Sequence, residues 1–178
     1  SFSSGAVFGS EFENPASDES KAIVNINDVV QSDYYQVSKI YSEIKHRSYP
    51  DLAIVDLRIY GFFSRFIDLN AGYLLCQIIR SVKEGACFYT DRTDIVRDYV
   101  SPRDLTSLIR NIIDSSQNVN VALDVCSKGV VKKSEILELF ISRYNLRVEY
   151  KEGNYASTTG TKPFYYSTSK LAYSLFDY

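Results

Sequence analysis

Two segments constrain the fold more than any others, LAIVDLRIYG over residues 52–61 and VNVALDVCS over 119–127. Both are short, aliphatic and β-branched, the pattern of strands buried in a sheet. Helical patterns stand between and around them. One runs from about Asp33 to Arg47, with Ser32 or Asp33 as its N-cap. A second, over residues 69–84, places Leu74, Leu75, Ile78, Ile79 and Val82 at helical spacing and stops at Gly85. Pro102 stands in the first turn of a third, capped by Ser101 and reaching about Ser115. A fourth begins at Lys133 or Ser134 and ends at Tyr144. ACFYT, IVRDYV and LRVEYKE read as further strands, and SFSSGAVFG as the end of a buried strand running into a loop. Residues 10–33, broken by Pro15, Ser17, Asn25 and Asn27, read as a long surface loop. A Thr/Gly-rich loop from Asn154 to Pro163 precedes a short C-terminal helix. Strands alternating with helices predict an α/β sheet with parallel pairs.

Composition narrows the function classes. The 178 residues suit one domain, or a large piece of one, and 45% hydrophobic with 24% charged residues is the make-up of a packed globular chain. A net charge of −2 gives no basic footprint, so nucleic acid is not an expected partner. No apolar run has membrane-spanning length and no signal-peptide pattern opens the chain, so no membrane partner is expected and a cytoplasmic location is. Cys76, Cys87 and Cys126 lack metal-ligand spacing and read as reduced, buried thiols. His46, the one histidine, reads as a solvated or capping residue. A Ser-His triad would rest wholly on it, and no metal site is expected. The chain contains no methionine, and the expectation is that it begins partway through a domain.

Chemistry concentrates in tyrosine-lysine pairs. Four residues apart on a helix, a lysine ammonium faces a phenol and favours its phenolate. With 15 tyrosines the chain holds three such pairs: Tyr35/Lys39, Tyr41/Lys45 and Tyr166/Lys170. Tyr41 lies about 240° around the helix from Tyr35, so its pair faces elsewhere and is solvated. Tyr166/Lys170 lies in the terminal segment. Tyr35/Lys39 is singled out by what flanks it: a serine at a strand end, SSGAVFG, before it, and the strand VDLRIYG directly after it.

In this order the motifs resemble those of the extended short-chain dehydrogenase/reductases, the NAD-dependent epimerase/dehydratase family. That family carries SS-x-x-V-Y-G, then Y-x-x-x-K, then an LR-x-x-N-x-x-G strand exit, then an R-D-[FY]-[IV]-x-x-x-D-L stretch, seen here as RDYVSPRDL from Arg97 to Leu105. The resemblance covers the whole chain but only the C-terminal portion of the family's domain. It implies the later part of a Rossmann-like doubly wound parallel sheet with the small substrate-binding subdomain, residues 1–178 supplying the active-site strand, the Tyr-Lys helix and the substrate-binding region. The glycine-rich turn that cradles a dinucleotide pyrophosphate is not in the sequence.

The resemblance also implies roles. Ser4 would hydrogen-bond the reacting oxygen of a sugar, Tyr35 would exchange a proton with it, and Lys39 would depress the Tyr35 pKa and hold the nicotinamide ribose. Tyr60 and Gly61 would pass the nicotinamide of NAD or NADP at the strand exit. Arg97 would bind the nucleotide diphosphate, the alternative being a structural pair with Asp98 or Asp104, and Asn70 would assist at the phosphate. Gly61 departs from the family asparagine. Gly5 and Ala6 stand where the 4,6-dehydratases carry Asp-Glu, which disfavours dehydration. The expected activity is a nucleotide-sugar 4-epimerase or 4-ketoreductase in surface polysaccharide precursor synthesis, from a homodimeric parent, with this chain alone inactive. Val37, Ile40, Tyr41 and Ile44 would supply a dimer stripe. The alternative is an inert fragment or interaction module that keeps the substrate-side fold.

Overall fold

The computed structural model of the protein describes residues 1–9, 12–152 and 162–178. Its centre is a parallel sheet of β1 (Phe2–Ser4), β2 (Ile54–Ile59) and β5 (Asn120–Val125), in the order β1-β2-β5. The register sets Ser4 beside Ile59 and Ile59 beside Val125, so the three strands end in one row. Helix α1 (Tyr34–Arg47) joins β1 to β2. Between β2 and β5 lie α2 (Leu74–Glu84), β3 (Cys87–Thr90), β4 (Val96–Arg97) and α3 (Pro102–Asp114). After β5 come β6 (Val131–Lys132), α4 (Lys133–Tyr144), β7 (Arg147–Tyr150), β8 (Phe164–Tyr165) and α5 (Leu171–Phe176). Strands β3 and β7 pair in parallel, and β4 is flanked by antiparallel β6 and parallel β8.

The packing follows the sequence periodicity. Leu105 and Leu108 of α3, with Ala172 and Phe176 of α5, close over Leu57, Leu123 and Val125 of the sheet. Leu74 and Ile78 of α2 meet Ile136 and Leu137 of α4 above Phe88, making a second core under the β3-β7 pair. Burying each such side chain stabilises the fold by about 1.5–3 kcal/mol. Ser101 caps α3 as predicted, its Oγ accepting from the Asp104 N–H at 3.2 Å, and Gly85 ends α2 in the left-handed conformation at φ 63°.

Helix α1 docks differently. Its one buried residue is Glu43, which accepts hydrogen bonds from Ser3 Oγ at 2.6 Å and from Arg58 Nε and Nη2 at 3.0 and 2.6 Å. One turn on, His46 and Arg47 pair with Asp56, which is buried within β2. Tyr34, Tyr41 and Ile44 point outward and are exposed. Charge-assisted hydrogen bonds, not an apolar stripe, hold this helix to the sheet.

Several expectations need correction. His46 is neither solvated nor a cap, because its Nδ1 lies 2.8 Å from Asp56 Oδ1. Cys76 is fully buried, but Cys87 and Cys126 are only partly so. The second helix starts at Leu74 because Tyr73 is extended, residues 68–71 forming a turn instead. IVRDYV shortens to a two-residue strand; beyond it Val100 N–H donates to Gly61 O and Asp98 turns inward to accept from Ser127 N–H. In the 10–33 segment Phe12 and Ala16 are buried, and Ala16 bridges to Ser167. The loop expected from Asn154 to Pro163 lies outside the described residues up to position 161, and the short C-terminal helix is α5.

Candidate active site

Ser4 ends β1 and passes at once into a 3-10 turn over Gly5–Phe8, its Oγ accepting from the Ala6 N–H at 3.2 Å. This turn lifts the hydroxyl to the C-terminal edge of the sheet, where open parallel sheets bind their ligands. Beside it, β2 exits through Tyr60 and Gly61. Tyr60 Oη donates to Asp124 Oδ2 at 3.0 Å, and burial next to that carboxylate pushes the Tyr60 pKa far above the ordinary phenol value. Gly61 is compressed: a Cβ there would meet the Asp98 carbonyl oxygen at 2.3 Å. That close approach accounts for glycine where the family motif has asparagine.

Tyr35 stands in the first turn of α1, 57% exposed. Lys39 lies one turn further on, its Nζ 5.7 Å from the Tyr35 ring centroid and donating to Phe2 O of β1 at 3.1 Å. The pair therefore shares a helix face that looks toward β1. Tyr41 is 65% exposed, as predicted, and Tyr166 and Lys170 precede α5, so the third pair is not helical.

Arg97, on β4, is 4% exposed. Its Nη1 donates to Val96 O and Lys162 O at 2.9 and 2.8 Å, while Nη2 has no partner among the described residues. The structural-pair alternative is not formed there. Asp98 accepts from Ser127 and Asp104 from Ser101 instead.

Ser4, Tyr35, Tyr60, Gly61 and Arg97 all line one cavity of about 790 Å³. Lys39 and Asn70 are not among its lining residues. Lys39 is bonded to Phe2 O instead, and the exposed Asn70 closes a turn by donating its N–H to Asp68 Oδ1 at 2.9 Å. Two lining residues escaped the sequence reading. Tyr165 Oη lies 3.3 Å from Ser4 Oγ, its ring packed edge-on against Tyr60 and Phe12. Lys162 Nζ donates to Gly9 O at 3.0 Å and lies 4.5 Å from the Tyr165 ring centroid. Burial and the neighbouring Arg97 lower the Lys162 pKa to about 8. Both residues come from the chain beyond 161, brought here by the β4-β8 pairing and by backbone bonds to Phe12 and Ala16. The repeated SK wording around Tyr166 was the sole sequence signal in that region.

The cavity's phenols are unequal. Burial raises the pKa of Tyr60, Tyr99 and Tyr165, Tyr99 to about 12, whereas Tyr35 is exposed to solvent. Among the described residues no group of three or more His, Cys, Asp or Glu side chains could hold a metal ion. None of their helices is long and apolar enough to cross a membrane.

The chain has a Rossmann-type α/β fold, shared with solved structures of NAD-bound epimerases and dehydratases. It superposes on the UDP-glucuronic acid 4-epimerase from Bacillus cereus, solved with UDP-glucuronic acid and NAD, with a TM-score of 0.78 at 14% identity, over 99% of this chain and 54% of that one. The UDP-N-acetylglucosamine 4-epimerase from Methanobrevibacter ruminantium M1, in complex with UDP-N-acetylmuramic acid, gives 0.76 at 14% identity, over 99% and 55%. A dTDP-glucose 4,6-dehydratase from Bacillus anthracis str. Ames, in complex with NAD, gives 0.74 at 17% identity, over 99% and 54%. The chain thus spans about half the length of the solved structures it matches. No family model and no curated protein matches the sequence.

Proposed function

We propose that the protein acts on nucleotide sugars as an NAD(P)-dependent 4-epimerase or 4-ketoreductase. One observation carries this reading: a serine at a strand end and an exposed helical tyrosine share a cavity with a buried, unpaired arginine. A hydroxyl and a phenol suit the two ends of a proton transfer to a sugar oxygen, and an unpaired guanidinium suits a diphosphate.

In the mechanism we infer, the Arg97 guanidinium takes the diphosphate and so fixes the sugar across the cavity. Ser4 Oγ donates to the reacting sugar oxygen and Tyr35 Oη exchanges a proton with it. Lys39, held against Phe2 O, stands beside the Tyr35 ring and positions it. NAD, when bound, accepts or supplies hydride at the carbon bearing that oxygen. The close approach of Gly61 to Asp98 leaves a flat backbone wall at the strand exit, where a planar ring fits. The residues here fit the nicotinamide end of the cofactor; the 178 residues hold no glycine-rich turn for its pyrophosphate. We read residues 1–178 as the active-site strand, Tyr-Lys helix and substrate-binding region of such a domain, and the exposed Tyr41 and Ile44 on α1 as part of a homodimer contact. A role in polysaccharide precursor synthesis, in the cytoplasm, follows from the same reading.

Titrating NADH into the protein and following nicotinamide fluorescence tests it, with Lys39→Ala as control. Saturable binding that the control abolishes supports the active-site reading. Absence of binding in both favours the other reading, an inert module that keeps the substrate-side fold.

A further inference from the structure

Arg97 and Lys162 place two cations in one cavity, and among the described residues no carboxylate pairs with either. Both lie by the Tyr165 ring, at 6.0 and 4.5 Å from its centroid, but they are held toward different elements. Arg97 is anchored on β4 through Val96 O and Lys162 O. The Lys162 ammonium instead reaches across to Gly9 O, in the turn that follows Ser4. Gly9 in turn abuts the Gln36 side chain, one residue after Tyr35 on α1, and the Tyr165 ring beneath the ammonium carries the hydroxyl that touches Ser4. Lys162 therefore faces the end of the cavity where the reacting sugar sits, with the diphosphate left to Arg97. Desolvating an ammonium is costly without a counter-charge, and among the described residues none supplies one.

We propose that Lys162 determines specificity by pairing with a negatively charged substituent, a carboxylate, on the sugar of the substrate, so that the preferred substrate class is acidic nucleotide sugars. This rests on the nucleotide-sugar reading given above. The groups facing the ammonium are the Arg97 guanidinium from β4, the Tyr165 ring from β8, and the Phe12 ring with the Gly9 carbonyl from the N-terminal segment. With a pKa of about 8, Lys162 is charged at pH 7 and loses its charge as pH rises to 9, so a preference that depends on it fades over that interval.

The test is calorimetric binding of UDP-glucuronic acid and UDP-glucose to the protein at pH 7 and pH 9. The expected result is about tenfold or greater preference for the acidic sugar at pH 7, reduced at pH 9, abolished in Lys162→Gln and retained in Lys162→Arg. Gln keeps a donor for Gly9 O, so loss of folding is not the expected cause, and the melting temperature of each variant checks this. Arg97→Gln should weaken both ligands equally. Equal affinity of the wild type for both sugars, or a preference that survives Lys162→Gln, overturns the inference and leaves the proposed function standing. Equal weakening of both ligands in Lys162→Gln also overturns it, because the lysine would then serve the diphosphate. Failure of either sugar nucleotide to bind overturns the proposed function and this inference with it.

Discussion

A methyl group on Gly5 would lie 2.3 Å from Cε1 of Tyr60, inside the space the ring already fills. The turn that presents Ser4 and the strand exit that presents Tyr60 are therefore a single fitted contact. Gly5→Ala must displace the ring and with it the hydrogen bond to Asp124. Overpacking of this kind costs about 1–3 kcal/mol. The expected outcome is a melting temperature lower by about 3–10 °C. Tyr60→Phe keeps the ring and loses only the hydroxyl, so it should lower stability less.

Glu43 is the buried hub between Ser3 and Arg58. Glu43→Ala leaves the guanidinium, 20% exposed, without its main partner, and should destabilise by about 2–4 kcal/mol in urea titrations. Glu43→Gln keeps an acceptor for Ser3 and should cost less. Equal stability of all three proteins would show that α1 does not depend on this contact.

Asp98 offers a pH test. Burial raises its pKa against the opposing Ser127 N–H, and Oδ1 has no partner among the described residues. A carboxyl whose folded pKa lies above the unfolded value binds its proton more tightly when folded. Its charge therefore penalises folding above the folded pKa, and the penalty vanishes below the unfolded one. Asp98→Asn keeps an acceptor for Ser127 and removes the charge. It should match the wild type near pH 3 and exceed it near pH 7 by on the order of 1 kcal/mol. Thermal melts across that range give the measurement.

For activity, Tyr35→Phe removes one exposed hydroxyl and should leave the melting temperature nearly unchanged. In the whole protein, assayed for nucleotide-sugar conversion with NAD, the rate should fall about 10²–10⁴-fold. Ser4→Ala should reduce the rate as well, with a modest loss of stability because Ser4 Oγ also serves the Ala6 N–H and Tyr165. A Tyr35→Phe protein at full rate would remove this tyrosine from the chemistry.

What could be read in advance followed local rules. Pro102 behind Ser101, Gly85 after Val82, and the aliphatic runs of β2 and β5 each declare an element from within a few residues. Ser4, Tyr35, Tyr60, Gly61 and Arg97 were findable because motif order places them on successive strand ends and helices, and they do line one cavity. Lys162 and Tyr165 were not, because their place depends on the pairing of β8 with β4, sixty-eight residues apart at Val96 and Phe164. His46 was misread for a related reason: its partner Asp56 lies on the next strand, and a helix-end histidine looks the same in sequence whether or not a carboxylate waits opposite. Asn70, which the resemblance set at the substrate phosphate, sits in a turn outside the cavity lining.

Helix α1 is attached like a cantilever. Its root is clamped by short ionic contacts at Glu43, His46 and Arg47, while nearer its tip single side chains reach backbone carbonyls, Gln36 Nε2 donating to Val7 O and Ile23 O, both at 3.3 Å, and Lys39 Nζ to Phe2 O at 3.1 Å. The proposed acid, Tyr35, rides on the tip. Because Glu43 and Asp56 are buried, added salt screens these root contacts little, and the grip on that half of the helix should persist at high ionic strength.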